Sequence, residues 1–465
     1  MVQFRDARRA VPVLGFLDAR RAVPVLVFLA ASVPGCGTSS SSAADTADVL
    51  VAADGNAAES RAPDSSLTDA GSLDTAAADA EADAATVEVD DTPGCAGDFC
   101  AAGPEHAPDP SKWGPFPVGV TTTYLDLVDH LGEPRTIRVE IWYPTTDEYR
   151  EGPFDQIDFY DDAPPEAKDR VEKFSLQLPP IEVQASRDTP VRTGDGPYPL
   201  VVFSHGAYGI RFQSVFYTVP LASHGYVVAA MDHTGNVLYD LLAADGYNFD
   251  DMILSALDRP YDVVVTTAMV TSRSRKKGDM LYGSVREDAI GLSGHSFGGF
   301  TSFLVPFLDP RIKAVVAHSP ATSFLSMLGY DVKDFPAPVM IQGGMLDKTL
   351  DPEKEVYPIW PKLPAPKFQF MLKTGGHFTY SDICLLDLVY IAESLGFDDA
   401  TNALDDGCAD FNLDPDVAHV MINQFAIGFF NYYLRGSKDS LKYFDADAAK
   451  KLEADLQYQI ELGSE

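Results

Sequence analysis

The chain has 465 residues, with 35 Lys and Arg against 69 Asp and Glu, a formal net charge of −34. Its hydrophobic share of 46%, with 27 Phe and 20 Tyr, supplies a sizeable core, and the length allows one large domain with extensions or two to three ordinary ones. An acidic balance of this size excludes nucleic acid as a partner, because phosphate binding is carried by Lys and Arg.

The first 35 residues read as a targeting segment. Arg20-Arg21 form a basic start, and Ala22-Val-Pro-Val-Leu-Val-Phe-Leu-Ala-Ala31 is an apolar run too short to span a bilayer. Val33-Pro-Gly-Cys36 then resembles a bacterial lipobox, which makes Cys36 the expected lipid anchor and the cell envelope the expected location; an ordinary signal peptide with a stray Cys is the other reading. Asp6–Leu14 repeats as Asp18–Leu26, a short duplication to which no function is attached.

Residues 36–110 are expected to be a disordered acidic tether. Between Gly37 and Pro110 there are 16 acidic residues and one Arg, and up to about residue 93 there is almost no aromatic side chain. Such a composition cannot bury enough apolar surface to offset ordering entropy. The remaining four cysteines allow two disulfides outside the cytosol, Cys95–Cys100 and Cys384–Cys408, with free buried thiols as the alternative.

The folded domain is expected from Ser111 to the end of the sequence. Gly119–Leu127 and Arg135–Tyr143 alternate apolar and polar residues, as half-buried antiparallel strands do. Residues 145–197 are polar and Pro-rich and read as a surface insertion or lid. Beyond them, Pro199–Phe203, Tyr226–Met231, Ala289–Ser293, Ile312–Ala317, Pro338–Gln342 and Phe368–Leu372 are short aliphatic runs. Helical stretches such as Gln213–Ser223 and Arg259–Arg275 separate them, and Val417–Leu434 is a final amphipathic helix. Strand and helix in alternation predict a mostly parallel sheet covered on both faces.

The chemistry centres on Gly294-His-Ser296-Phe-Gly298, a G-x-S-x-G that follows a predicted strand and precedes a predicted helix. That context is the nucleophile elbow of the α/β-hydrolase fold, in which a tight turn raises the Ser hydroxyl and aims the next backbone N–H at an oxyanion. The predicted donors are Phe297 and, from the loop Ser204-His-Gly-Ala-Tyr-Gly209, Ala207, with Tyr208 in reserve. A Ser hydroxyl needs a base, and this fold orders Ser, acid, His along the chain. His377, in Thr374-Gly-Gly-His-Phe378, is the predicted base, and His419 is read as a packed helix position. Asp347 is the predicted acid, with Asp351 and Asp334 behind it. His205 and His295 are read as shaping the loop and the pocket wall.

Three segments carry a family resemblance: Val201-Val-Phe-Ser-His-Gly206, Leu221-Ala-Ser-His-Gly-Tyr-Val-Val-Ala-Ala230 and Gly294-His-Ser-Phe-Gly-Gly299. Together they resemble the platelet-activating-factor acetylhydrolase branch and its bacterial polyester- and dienelactone-hydrolase-like relatives. Residues 114–435 share the likeness, which implies a small-molecule ester or lipid substrate, an acyl-enzyme on Ser296, and no cofactor or metal. One departure stands out. In the acetylhydrolases the triad acid follows the strand after the nucleophile helix, whereas here that strand ends Ala317-His-Ser-Pro320. Asp347, at the polyester-hydrolase position, is therefore expected to serve, which leaves ester hydrolysis intact and phospholipid specificity open. The competing expectations are a catalytically idle binding module on the same fold, or a peptidase or acyltransferase.

Overall fold

A computed structural model describes residues 107–175, 180–244, 249–385 and 406–463. The targeting segment, Cys36, Cys95 and Cys100, and the tether as far as residue 106 lie outside the described residues.

Ten strands form one sheet, in the order β12-β11-β10-β9-β8-β6-β7-β2-β1-β5. They are β1 (Val118–Val128), β2 (Pro134–Pro144), β5 (Ser186–Arg187), β6 (Tyr198–Ser204), β7 (Val227–Met231), β8 (Val285–His295), β9 (Ile312–His318), β10 (Val339–Gly344), β11 (Lys367–Leu372) and β12 (Leu456–Glu461). The six from β11 across to β7 run parallel, while β2, β1 and β12 are antiparallel to their inner neighbours. β6, β7, β10 and β11 are buried along their whole length, which is why they read as predominantly apolar runs. β1 keeps an alternating, half-wet second half.

Among the described residues four longer helices cover the sheet: α1 (Val215–Ser223), α2 (Phe249–Arg275), α3 (Phe297–Leu308) and α4 (Pro415–Arg435). α1 packs beside α4 and α2 beside α3. α4 fits closely because β8 carries Gly291, where a side chain would strike Phe430 and Leu434. After β6 the chain goes to one side for β7 and returns to the other for β8. Such a reversal opens a crevice at the carboxyl ends of the strands, where ligands bind in open α/β sheets.

Three features differ from the sequence reading. α2 begins at Phe249 rather than Arg259, running through Pro260, and a short helix Leu238–Ala243, which the sequence reading did not place, precedes it. The insertion at 145–197 contains a two-stranded sheet, β3 (Asp155–Ile157) with β4 (Ile181–Val183), and it supplies β5 to the main sheet beside β1. It covers a cavity of about 290 Å³ on the β1–β2 face, walled by Thr122, Glu140, Trp142, Asp162, Arg187 and Arg211. Arg211 there bridges Glu140, Asp162 and Asp232 in a buried ion network.

Candidate active site

The turn from β8 into α3 holds Ser296 at φ 58°, ψ −116°, a left-handed-side conformation costly for any residue with a side chain. The two flanking glycines explain how the turn closes. A Cβ on Gly298 would land on the Ser204 carbonyl, and one on Gly294 would land on the Gly298 carbonyl. The strain is held from outside: Ser296 N–H donates to His318 O at 2.9 Å, and Ala321 N–H donates to Ser296 O at 3.2 Å. Phe297 opens α3, so its N–H is one of the first-turn donors without a partner inside the helix.

β10 and β11 deliver the other two predicted groups to the same rim. Gly344 ends β10 so close to the Gly375 backbone that no side chain fits between them, which brings the two following loops together. Asp347 Oδ2 lies 2.8 Å from His377 Nδ1, and Asp347 Oδ1 accepts the Leu350 N–H at 2.6 Å. With Nδ1–H donating to the carboxylate, Nε2 is left as the acceptor. The reserve acids are elsewhere: Asp351 accepts from Glu353 N–H and pairs with Lys354, and Asp334 pairs with Lys333. His419 stacks on Phe216, ring centroids 3.6 Å apart, and burial pulls its pKa down to about 4.

His295 ties the base loop to the elbow. Its Nε2–H donates to His377 O at 3.0 Å, its ring lies 4.7 Å from the His377 ring, and burial holds it well below the usual imidazole range, hence neutral. Gln213 completes the link to the loop after β6: its Nε2–H donates to His295 Nδ1 at 3.0 Å and its Oε1 accepts the Gly206 N–H at 3.0 Å. His205 is spent inside that loop, Nδ1–H donating to Gly206 O and Nε2 accepting the His233 N–H. Ala207 follows Gly206, and Tyr208 holds a positive φ of 52°.

Sequence reasoning missed Asp406. Its Oδ1 accepts the N–H groups of Lys348 and His377, each at 2.9 Å. Its Oδ2 accepts from Thr349 N–H at 2.8 Å and Thr349 hydroxyl at 2.7 Å. One buried carboxylate therefore braces the acid-bearing and base-bearing loops together. Cys408, two residues on, is disulfide-bonded to Cys384 at the end of the His377 loop, Cα atoms 5.1 Å apart. The nearness of Asp406 to a cysteine was the only trace of this brace in the sequence.

A second Ser–His–Asp series lies deeper. Ser204 Oγ is 2.8 Å from His233 Nε2, and His233 Nδ1 is 2.8 Å from Asp262 Oδ2, all three fully buried. It anchors the root of the loop after β6. Among the described residues no three His, Cys, Asp or Glu side chains gather as a metal site.

The strand order, the strained serine at the switch point and the Asp347–His377 pair on the neighbouring loops define an α/β-hydrolase. The family model "Platelet-activating factor acetylhydrolase, isoform II" matches residues 102–252, which include the loop after β6 and precede the elbow. The platelet-activating factor acetylhydrolase of Cavia porcellus is 22% identical over 289 residues, 55% of this chain and 61% of that protein. That of Canis lupus familiaris is 29% identical over 170 residues, 30% of this chain and 38% of that protein. The chain thus matches about three-fifths or less of these relatives' length. A solved structure, a ferulic acid esterase from Streptomyces cinnamoneus, aligns at TM-score 0.47 and 20% identity, covering 69% of this chain and 91% of that one. Over residues 102–252 the chain is thus similar to the platelet-activating factor acetylhydrolases.

Proposed function

We propose that the protein is a serine carboxylic ester hydrolase that works through an acyl-enzyme on Ser296. The observation that carries this reading is the 2.8 Å Asp347–His377 bond on the rim where the strained elbow raises the Ser296 hydroxyl. In the reaction His377 Nε2 takes the Ser296 proton as Oγ attacks the ester carbonyl, and Asp347 stabilises the imidazolium through Nδ1–H. The tetrahedral oxyanion is met by the N–H groups of Phe297 and Ala207. His377 then protonates the leaving alcohol, and water, activated by the same imidazole, releases the acid. The substrates are esters with a short or lipid-like acyl group, in keeping with the relatives' acetylhydrolase names. The test is turnover of a p-nitrophenyl butyrate and labelling by a fluorophosphonate probe. Ser296→Ala is expected to abolish labelling and lower kcat by about 10⁶-fold, while wild-type rates in a folded Ser296→Ala protein would refute the reading.

The same proposal places the enzyme outside the cytosol, held at the cell envelope by a lipid on Cys36 and a tether of residues 36–110. Its support is the Cys384–Cys408 bridge, since disulfides persist in oxidising compartments.

A further inference from the structure

We propose that Arg259 is the positioning residue of the oxyanion hole, holding both backbone donors, Ala207 and Phe297, in line with the Ser296 hydroxyl. The inference rests on the ester-hydrolase reading of Ser296 and adds a residue to it. Arg259 lies on α2, ten residues into the helix, and its side chain is fully buried. Its Nη1 donates to His205 O at 2.7 Å, and its Nη2 donates to Gly206 O at 3.0 Å and to Asn236 Oδ1 at 2.6 Å. The guanidinium carbon sits 4.8 Å from the centre of the Phe297 ring.

Peptide geometry turns these contacts into a role. In a trans peptide the C=O and the following N–H point in opposite directions. With the His205 and Gly206 carbonyls drawn to Arg259, the N–H groups of Gly206 and Ala207 face the other way. The first is taken by Gln213 Oε1 at 3.0 Å. That side is the elbow side: the point where a Gly206 Cβ would sit is 3.4 Å from Ser296 Cβ. The Ala207 N–H is thereby aimed towards the reacting centre. The other donor, Phe297 N–H, belongs to the residue whose ring lies under the same guanidinium.

The burial of this cation calls for a reason. Among the described residues no carboxylate hydrogen-bonds to it, and its buried Nε has no partner. Asp262, whose charge favours the cation, is engaged by Arg135 and His233. Burial works against the charge, pulling its pKa down to about 9. A buried cation satisfied by carbonyls and an aromatic face suits a clamp on backbone geometry, since only a planar fork of donors bridges two adjacent carbonyls.

The test compares the wild-type full chain with Arg259→Lys, Arg259→Met and Phe297→Leu. It measures kcat and KM on p-nitrophenyl butyrate, affinity for a trifluoromethyl ketone that forms the tetrahedral oxyanion, and affinity for an unreactive ether of the same shape. For both Arg259 variants kcat is expected to fall about 10²–10³-fold, with KM and ether affinity within about 3-fold and ketone affinity falling in step with kcat. The pH at which kcat/KM inflects is expected to stay put, because His377 and Asp347 are untouched. Phe297→Leu keeps the N–H but removes the ring, and a fall of about tenfold with the same pattern is expected. A folded Arg259 variant with kcat within about 3-fold of wild type overturns the proposal, as does loss of ether and ketone binding in parallel. If neither Arg259 variant folds, unchanged kcat and ketone affinity in Phe297→Leu overturn it. A wild-type protein that neither turns over the ester nor takes the fluorophosphonate removes the ester-hydrolase reading itself, whereas an active wild type beside an active Arg259→Met removes the clamp alone.

Discussion

Ser204 and Ser296 both stand near a hydrogen-bonded His–Asp pair, yet they are built for different ends. Ser204 is sealed at the end of β6, in relaxed strand backbone, with its hydroxyl already given to His233. Ser296 sits at positive φ on a turn where flanking side chains are sterically forbidden, and it retains some exposure, 9%. The glycine spacing made that second case legible in the sequence, because the steric demand falls on residues two before and two after the serine. His318 was legible only as the lack of an acid. It lies between the Tyr217 and Tyr380 rings with neither nitrogen hydrogen-bonded, and burial alone pushes its pKa down to about 3. An unfolded His takes up a proton near pH 6.5, so between there and pH 3 the unfolded chain binds a proton that the native state refuses. Stability is therefore lost as pH falls through that window, by up to about 1.4 kcal/mol per pH unit. His318→Phe is expected to shrink the drop in Tm between about pH 7 and about pH 4.5. Equal drops in the two proteins would show that this imidazole is not the source.

At the scale of elements, β6 to β11 could be placed from sequence because burial on both faces makes most of their residues apolar. α2 was cut short because Pro260 reads as a helix start, and a proline inside a helix removes one backbone bond that tertiary packing must offset. β5 is two residues long and carries no pattern of its own. Asp406 could not be found by pattern, since what it holds is backbone N–H from two loops far from it in sequence. The disulfide beside it closes a separation of 24 residues. Replacing Cys384 and Cys408 together by Ser is expected to lower stability by about 3 kcal/mol on the loop-entropy account. It is also expected to lower kcat at temperatures where the protein stays folded, because the Asp406 brace on Lys348, Thr349 and His377 loses its tie. Thermal denaturation and steady-state rates check the two parts separately, and an unchanged kcat would show that Asp406 is held without the bridge.

For the molecule as a whole, the charge of −34 is spread between an acidic leading segment and the folded domain. A self-repelling segment of that composition suits a spacer. Export and lipid attachment make a direct expectation: cells expressing the full chain incorporate radiolabelled palmitate into the wild-type protein and not into Cys36→Ala. Label retained in Cys36→Ala would place any acyl chain elsewhere. Among the described residues no helix is long and apolar enough to cross a membrane.

β12 lies outermost in the sheet, paired residue for residue with β11 from Leu372↔Leu456 to Lys367↔Glu461. Its Leu456, Tyr458 and Ile460 turn inward while Gln457 and Gln459 face solvent. The strand leading to His377 is therefore an inner strand only because residues 456–461 cover its flank. Anything that pulls on the chain just past Glu461, whether a fused partner, an affinity handle or a bead surface, tugs at the cover of the strand that carries the base.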